Sequence, residues 1–176
     1  MSLPSVKMSV SVGEKCACVK ISGRANFASS IDLRTLLDEL LRKGYDFFVL
    51  DLGECTLMDS TFLGVLAGFG LKINGPRGES KDRRLERFNP TPRIEELLES
   101  LGVLRLFKIT RNAMVLPEST QPAEAQPSNP SREEVTRTCL DAHRLLMHLH
   151  PENVNRFKDV AQFLAEDLKK LKGSEK

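Results

Sequence analysis

Ser60 stands in the run Leu57-Met58-Asp59-Ser60-Thr61-Phe62-Leu63-Gly64-Val65-Leu66, where polar residues end one apolar segment and open the next. A hydroxyl at the start of a helix has a plain structural task, because it can accept a hydrogen bond from an unpaired backbone N–H. A serine can also be a nucleophile, but that requires a neighbouring base and an oxyanion hole. No Gly-x-Ser-x-Gly elbow surrounds Ser60. His143, His148 and His150 all lie beyond a proline-rich stretch, remote from it in sequence. A hydrolase is not expected, and no catalytic residue is assigned. No Gly-rich phosphate loop of the Walker type occurs. Cys139 and His143 are spaced to share a helix face. His148 and His150 are not similarly placed, and no second cysteine pair completes a zinc pattern. The histidines are read as solvated or packed, so neither a metal nor a cofactor is implied. Arg77, Lys81, Arg83, Arg84 and Arg87 alternate with Glu79, Asp82 and Glu86, the mark of a solvated loop and strand face. A docking patch for an acidic partner is the alternative.

The composition narrows the classes further. The chain has 176 residues, 40% hydrophobic and 28% charged, as in an ordinary globular protein with room for one domain and an appendage. A formal charge of +2 and few aromatics argue against a nucleic-acid partner. The longest apolar run, Phe62 to Ile73, is broken by Gly64, Gly68 and Gly70 and falls short of the roughly 18–20 residues needed to span a bilayer. Direct membrane insertion is not expected. The N-terminus lacks the basic-then-apolar pattern of a secretory signal. Cys16, Cys18, Cys55 and Cys139 are read as reduced, and the expected location is cytoplasmic.

Several elements must position Ser60. Val6–Val12 and Cys16–Ser22 alternate as strands around the turn Gly13-Glu14-Lys15. Ser29 or Ser30 is expected to cap a helix running to about Lys43, with Gly44 closing it. Phe47–Leu52 is a continuous apolar strand of the central, doubly buried kind. Asp59-Ser60 opens a helix over about 61–73, whose internal glycines predict close backbone approach to the sheet. Arg83–Phe88 reads as a strand, Asn89-Pro90-Thr91-Pro92 as the start of a helix to about Leu101, and Leu104–Ile109 as a last strand. The alternation predicts an α/β layer with a largely parallel sheet. Residues 117–131 form a Pro-rich linker. Ser131 and Glu134 then open a helix with a capping box. Pro151 separates it from a second helix over about 152–172. This helical hairpin should dock as a lid on the main domain or serve as a homodimerisation arm. The expected organisation is a domain over 1–116, a linker over 117–131 and the hairpin over 132–176.

Residues 6–110 resemble a STAS domain, the family of sulfate-transporter and anti-sigma-factor-antagonist modules. Three features carry the resemblance: the order of elements, the run from strand Phe47–Leu52 through Glu54 and Cys55 to Leu66, and Asn89-Pro90 opening a helix with Leu97, Leu98 and then Gly102 and Leu106-Phe107. The second is similar to the family's phosphorylation segment, Asp-Ser-Ser/Thr-Gly-Leu-Gly. The resemblance implies a STAS-like mixed sheet with helices packed on it, plus the C-terminal two-helix extension. It puts Ser60 on the phosphorylated serine, with Thr61 as the fallback acceptor, and Asp59 on the acidic residue before it. The implied partner is an anti-sigma factor serine kinase, bound by the bare form and released by phosphorylation, with a PP2C-type phosphatase to reverse the mark. Asn26, Asp59, Thr61, Phe62 and Leu63 are the implied partner-binding residues. Phe62 departs from the family's glycine and would present an exposed ring, and Asn26 replaces an aspartate. A phosphate on Ser60 adds roughly −1.5 to −2 charges facing the positive end of a helix, so the fold should tolerate it. The alternative function is a constitutive accessory subunit of a membrane transport complex, without phospho-regulation.

Overall fold

The computed structural model describes residues 6–75, 84–109, 123–125 and 127–173. The first hairpin forms where the period-two pattern places it. β1 (Lys7–Val12) pairs antiparallel with β2 (Cys16–Ala25), Val10 opposite Val19. β2 runs parallel to β3 (Phe47–Met58), and β3 parallel to β4 (Arg84–Pro90). A two-residue strand, β5 (Ala123–Glu124), closes the other edge against β1, giving the order β4-β3-β2-β1-β5 in a mixed sheet. β3 is longer than the apolar run Phe47–Leu52 suggests, because β2 and β3 pair onward past two register irregularities to Ala25 opposite Met58.

The helices follow their inward stripes. α1 (Phe27–Arg42) buries Ile31, Leu33, Leu37 and Leu40. Its cap is Asn26, not Ser29 or Ser30. The Asn26 side chain accepts from the Ser29 N–H at 3.1 Å, and the Ser29 hydroxyl lies 3.0 Å from the Asn26 N–H, a reciprocal pair that starts the helix three residues early. Gly44 takes φ 93° just after the helix, as expected of a terminating glycine. α2 (Ser60–Asn74) buries Phe62, Leu66, Phe69 and Ile73 against Ala17, Val19 and Ile21 of β2 and Phe48, Leu50 and Leu52 of β3. The Phe48 and Phe69 rings meet edge to face at 5.2 Å. α3 (Pro92–Ser100) is capped by Thr91, with Pro92 at its first position.

Of the expected strand Leu104–Ile109, Leu104–Leu106 is a 3₁₀ turn and Ile109 alone forms a β-bridge. Val103, Leu106 and Phe107 are all buried, a helical spacing rather than an alternating one, and Phe107 lies against Gly70 of α2. The expected linker is only partly described, at 123–125 and 127–131, and Ala123–Glu124 within it joins the sheet. Of the basic segment, Arg77, Lys81 and Arg83 lie outside the described residues.

α4 (Arg132–Leu149) and α5 (Glu152–Gly173) form the hairpin, with Ser131 accepting from the Glu134 N–H at 3.1 Å. The hairpin docks on the domain of its own chain. α4 packs across α2 and also touches α1. The glycines of α2 explain how. A Cβ on Gly64 would stand 2.7 Å from Ala142 Cβ and 2.8 Å from the Ala142 carbonyl oxygen, and one on Gly68 would stand 3.2 Å from Leu145. These glycines admit α4, not the sheet as their composition suggested. Asn153, fully buried, donates to the carbonyls of Leu101 and Leu146, both at 2.8 Å, and ties the hairpin turn to the end of α3. Arg156 and Arg105 add bonds to the Ser100 and Leu149 carbonyls.

A Gly64→Ala substitution should therefore destabilise the chain although alanine is the better helix former. Overpacking against the α4 backbone costs about 1–3 kcal/mol, more than the ~0.5–1 kcal/mol propensity gain. Urea unfolding should show a lowered midpoint, and a raised midpoint would contradict the docking.

Candidate functional site

The site lies at the carboxyl ends of two adjacent parallel strands. Ala25 of β2 and Met58 of β3 are partners in register, and the Asp59 N–H donates to the Ala25 carbonyl at 3.1 Å. One residue further on, each strand becomes a helix. The N-termini of α1 and α2 thus start side by side, and each presents unpaired N–H groups.

Asp59 satisfies both. Its Oδ1 accepts from the Phe62 N–H at 2.9 Å, which caps α2, and its Oδ2 accepts from the Phe27 N–H at 2.6 Å, which belongs to α1. A carboxylate suits this place electrostatically as well, since two helix N-termini point at it. The capping task expected of Ser60 is therefore done by its neighbour, and the Ser60 hydroxyl is free for another contact.

That contact comes from the C-terminal hairpin. Ser60 Oγ lies 2.8 Å from His143 Nε2. His143 Nδ1 lies 2.6 Å from the Cys139 carbonyl oxygen. A carbonyl can only accept, so Nδ1 carries the proton, and in the neutral ring Nε2 accepts from the Ser60 hydroxyl. The imidazole is 5% exposed and stacks edge-on against Phe157 of α5 at 5.0 Å. One turn earlier on the same face of α4 stands Cys139, near Thr61, and burial raises its thiol pKa above the ordinary value. The Cys139–His143 spacing does put both on one face, and that face covers Ser60 and Thr61. His150 sits elsewhere, over Gly102 and 3.5 Å from Glu152. Remoteness in sequence did not keep His143 from Ser60.

The other site residues separate into two groups. Asn26 is exposed and caps α1 beside Asp59. Thr61, Phe62 and Leu63 are buried at 4%, 0% and 2% exposure, so none of them offers a surface to a partner. The exposed ring expected at Phe62 is corrected: as the third residue of α2 it falls on the inward stripe with Leu66 and Phe69. The exposed aromatic next to the site is Phe27, 48% exposed at the first position of α1. No pattern in the sequence marks it, because its exposure follows from the early start of α1 at Asn26.

An α/β module with a serine at the first turn of a helix, set at the ends of parallel strands, is the class that fold and site define. A family model described as "Mlab, STAS domain" matches residues 8–110, more than half of the 176 residues, and the chain belongs to this STAS domain family. No curated protein sequence matches it significantly. Among solved structures it is similar to the anti-sigma factor antagonist SpoIIAA in its unphosphorylated form, at 14% identity and a TM-score of 0.47 over 60% of this chain and 88% of that one. It is also similar to the Bacillus cell fate determinant SpoIIAA in the phosphorylated form, at 13% identity and a TM-score of 0.45 over 60% and 91% of the two chains.

Asp59→Ala removes acceptors for two helix N-termini at once, at about 2 kcal/mol. For a chain of this size the melting temperature should fall by about 4–8 °C. Calorimetry on both variants should show Ser60→Ala, which loses one hydrogen bond worth about 1 kcal/mol, shifting it by roughly half as much.

Proposed function

We propose that this STAS domain is an anti-sigma-factor-antagonist-like regulatory binding module, switched by phosphorylation of Ser60 by a partner anti-sigma factor serine kinase. One observation carries the proposal. Ser60 is the first residue of α2, yet its hydroxyl has no part in capping the helix, because Asp59 has taken that task. A hydroxyl that takes no part in capping its helix can be modified without undoing the cap, and the added charge faces a helix N-terminus that tolerates it. Beside Asp59, a phosphate makes the local surface strongly acidic and repels an acidic partner. Asn26 and Phe27 are exposed next to it and are the residues a partner would touch. Thr61 is a poor second acceptor, being buried under Cys139. A PP2C-type phosphatase would return the bare form. Among the described residues no helix is long and apolar enough to cross a membrane.

A second function is favoured by the same site. In the structure the Ser60 hydroxyl is engaged by His143, as suits a residue that is never modified. The module would then be a constitutive accessory subunit of a membrane transport complex. Co-purification with a transporter ATPase, with Ser60 bare throughout, would favour that function.

Incubation with serine kinases encoded near the gene, followed by mass-spectrometric mapping, should place one phosphate on Ser60. A Ser60→Asp variant should then lose a protein partner that Ser60→Ala retains, with at least a tenfold change in affinity. If every kinase tried leaves Ser60 bare, the phospho-switch fails.

A further inference from the structure

Ser60, Gly64 and Gly68 recur every four residues along α2 and form one stripe, and each meets α4: Ser60 at His143, Gly64 at Ala142, Gly68 at Leu145. Ser60, half-buried, is thus the end of a helix–helix seam. We propose that the C-terminal hairpin is an autoinhibitory lid, and that a docked α4 and a phosphate on Ser60 exclude one another, so that modification of Ser60 releases the hairpin and uncovers α2. The trigger rests on Ser60 being the acceptor of the proposed function, while the exclusion itself does not.

The exclusion follows from space and charge. His143 Nε2 is 2.8 Å from Ser60 Oγ, which leaves no room for a phosphorus and three oxygens between them. α4 cannot back away locally, since its backbone touches α2 one turn further on, at Gly64. The groups facing the phosphate would be Asp59 from the start of α2, Cys139 with its carbonyl oxygen, and the His143 ring; Arg24 lines the cavity beside Asn26 and Asp59, and among the described residues no lysine or arginine is hydrogen-bonded to Ser60. Ser60 is half-buried, so a phosphate held under α4 would give up part of its hydration beside the Asp59 carboxylate.

The seam is also made to open. Among the described residues, the buried side-chain polar atoms without a hydrogen-bond partner in the protein are Thr138 Oγ1 on α4 and Asn153 Oδ1 on α5, both in the hairpin. A cavity of about 260 Å³ lies between α1, α2 and α4, lined by Leu37, Gly68, Leu145 and Thr138. Transient opening would show Ser60 to a kinase. The transfer forms a bond from Ser60 Oγ to the γ-phosphorus of ATP, breaks the bond to the oxygen bridging to the β-phosphorus, and releases ADP. The hydroxyl proton leaves to the general base of the kinase. The phosphate then prevents reclosure.

Hydrogen exchange of the full chain, with phosphoserine placed at position 60 during translation, tests this without any kinase. The phosphorylated chain should exchange α4 and α5 amides, and alkylate Cys139, at least tenfold faster than the wild type, with β2 and β3 still protected. Ser60→Ala should stay within a few-fold of the wild type. Equal or greater protection of α4 in the phosphorylated chain, as when His143 clamps the phosphate, overturns the lid. Ala142→Trp, which wedges α4 from Gly64 and leaves Ser60 bare, should give the same opening. If β2 and β3 lose protection whenever α4 does, the hairpin is an integral part of the fold and the lid is likewise overturned. A kinase screen that fails would sink the phospho-switch and leave these exchange results standing.

Discussion

The contact between the Gly64 and Ala142 backbones is the constraint on which the arrangement turns. Two helices that meet with no side chain between them have little freedom to rotate or slide, because interiors pack at crystal-like density. Once Ala142 is fixed over Gly64, the next residue of α4 is aimed one turn back along α2. That residue is His143, and the position it reaches is Ser60. Leu146, a turn further along α4, is then fully buried in the core cluster of the domain. Asn153, Arg105 and Arg156 lock the far end of the hairpin through backbone carbonyls. A larger residue at position 64 would move all of these together.

Asp59 is the second fixed point. Adjacent parallel strands that both lead into helices bring two sets of unpaired N–H groups to one spot. A single carboxylate answers both, one oxygen to each helix. Under the proposed switch the two residues divide the work: Asp59 caps, and Ser60 beside it would carry the mark. Asp59 was read as a partner-binding residue, and it is held by α1 and α2 before any partner arrives.

Much of this was legible in the sequence. The alternation at Val6–Val12, the apolar run at Phe47–Leu52 and the Ser131–Glu134 start of α4 each announce their element through local chemistry. The resemblance around Asp59-Ser60-Thr61 places the family that the match to residues 8–110 shows. What failed was information that is not local. Ser29 looked like a cap because serine often is one, while the true cap, Asn26, comes three residues earlier, just after β2 ends at Ala25. Leu104–Ile109 has strand-forming residues, but Val103, Leu106 and Phe107 are buried at helical spacing, and Phe107 lies under α2 against Gly70. The glycines of α2 were correctly read as a close approach and assigned to the wrong neighbour. The period of four in Ser60, Gly64 and Gly68 was the available signal, since three small residues on one helix face admit another helix, whereas a sheet contact was already supplied by Phe62, Leu66 and Phe69.

The extension changes what the serine means physically. Without the hairpin, a hydroxyl at the first turn of α2 faces water, and a phosphate there alters a surface. With α4 in place, the hydroxyl is half-buried at the end of a seam and bonded to His143. The neutral hydroxyl contributes only about 0.5–1.5 kcal/mol through its bond to His143, so the bare seam is not held chiefly by it. A dianion at the same half-buried position gives up part of its hydration against α4, beside the Asp59 carboxylate, and that costs more than the lost bond. The strength of such a switch therefore lies in the asymmetry between a weak favourable contact and a larger unfavourable one. That asymmetry is set by α4, not by the STAS domain alone.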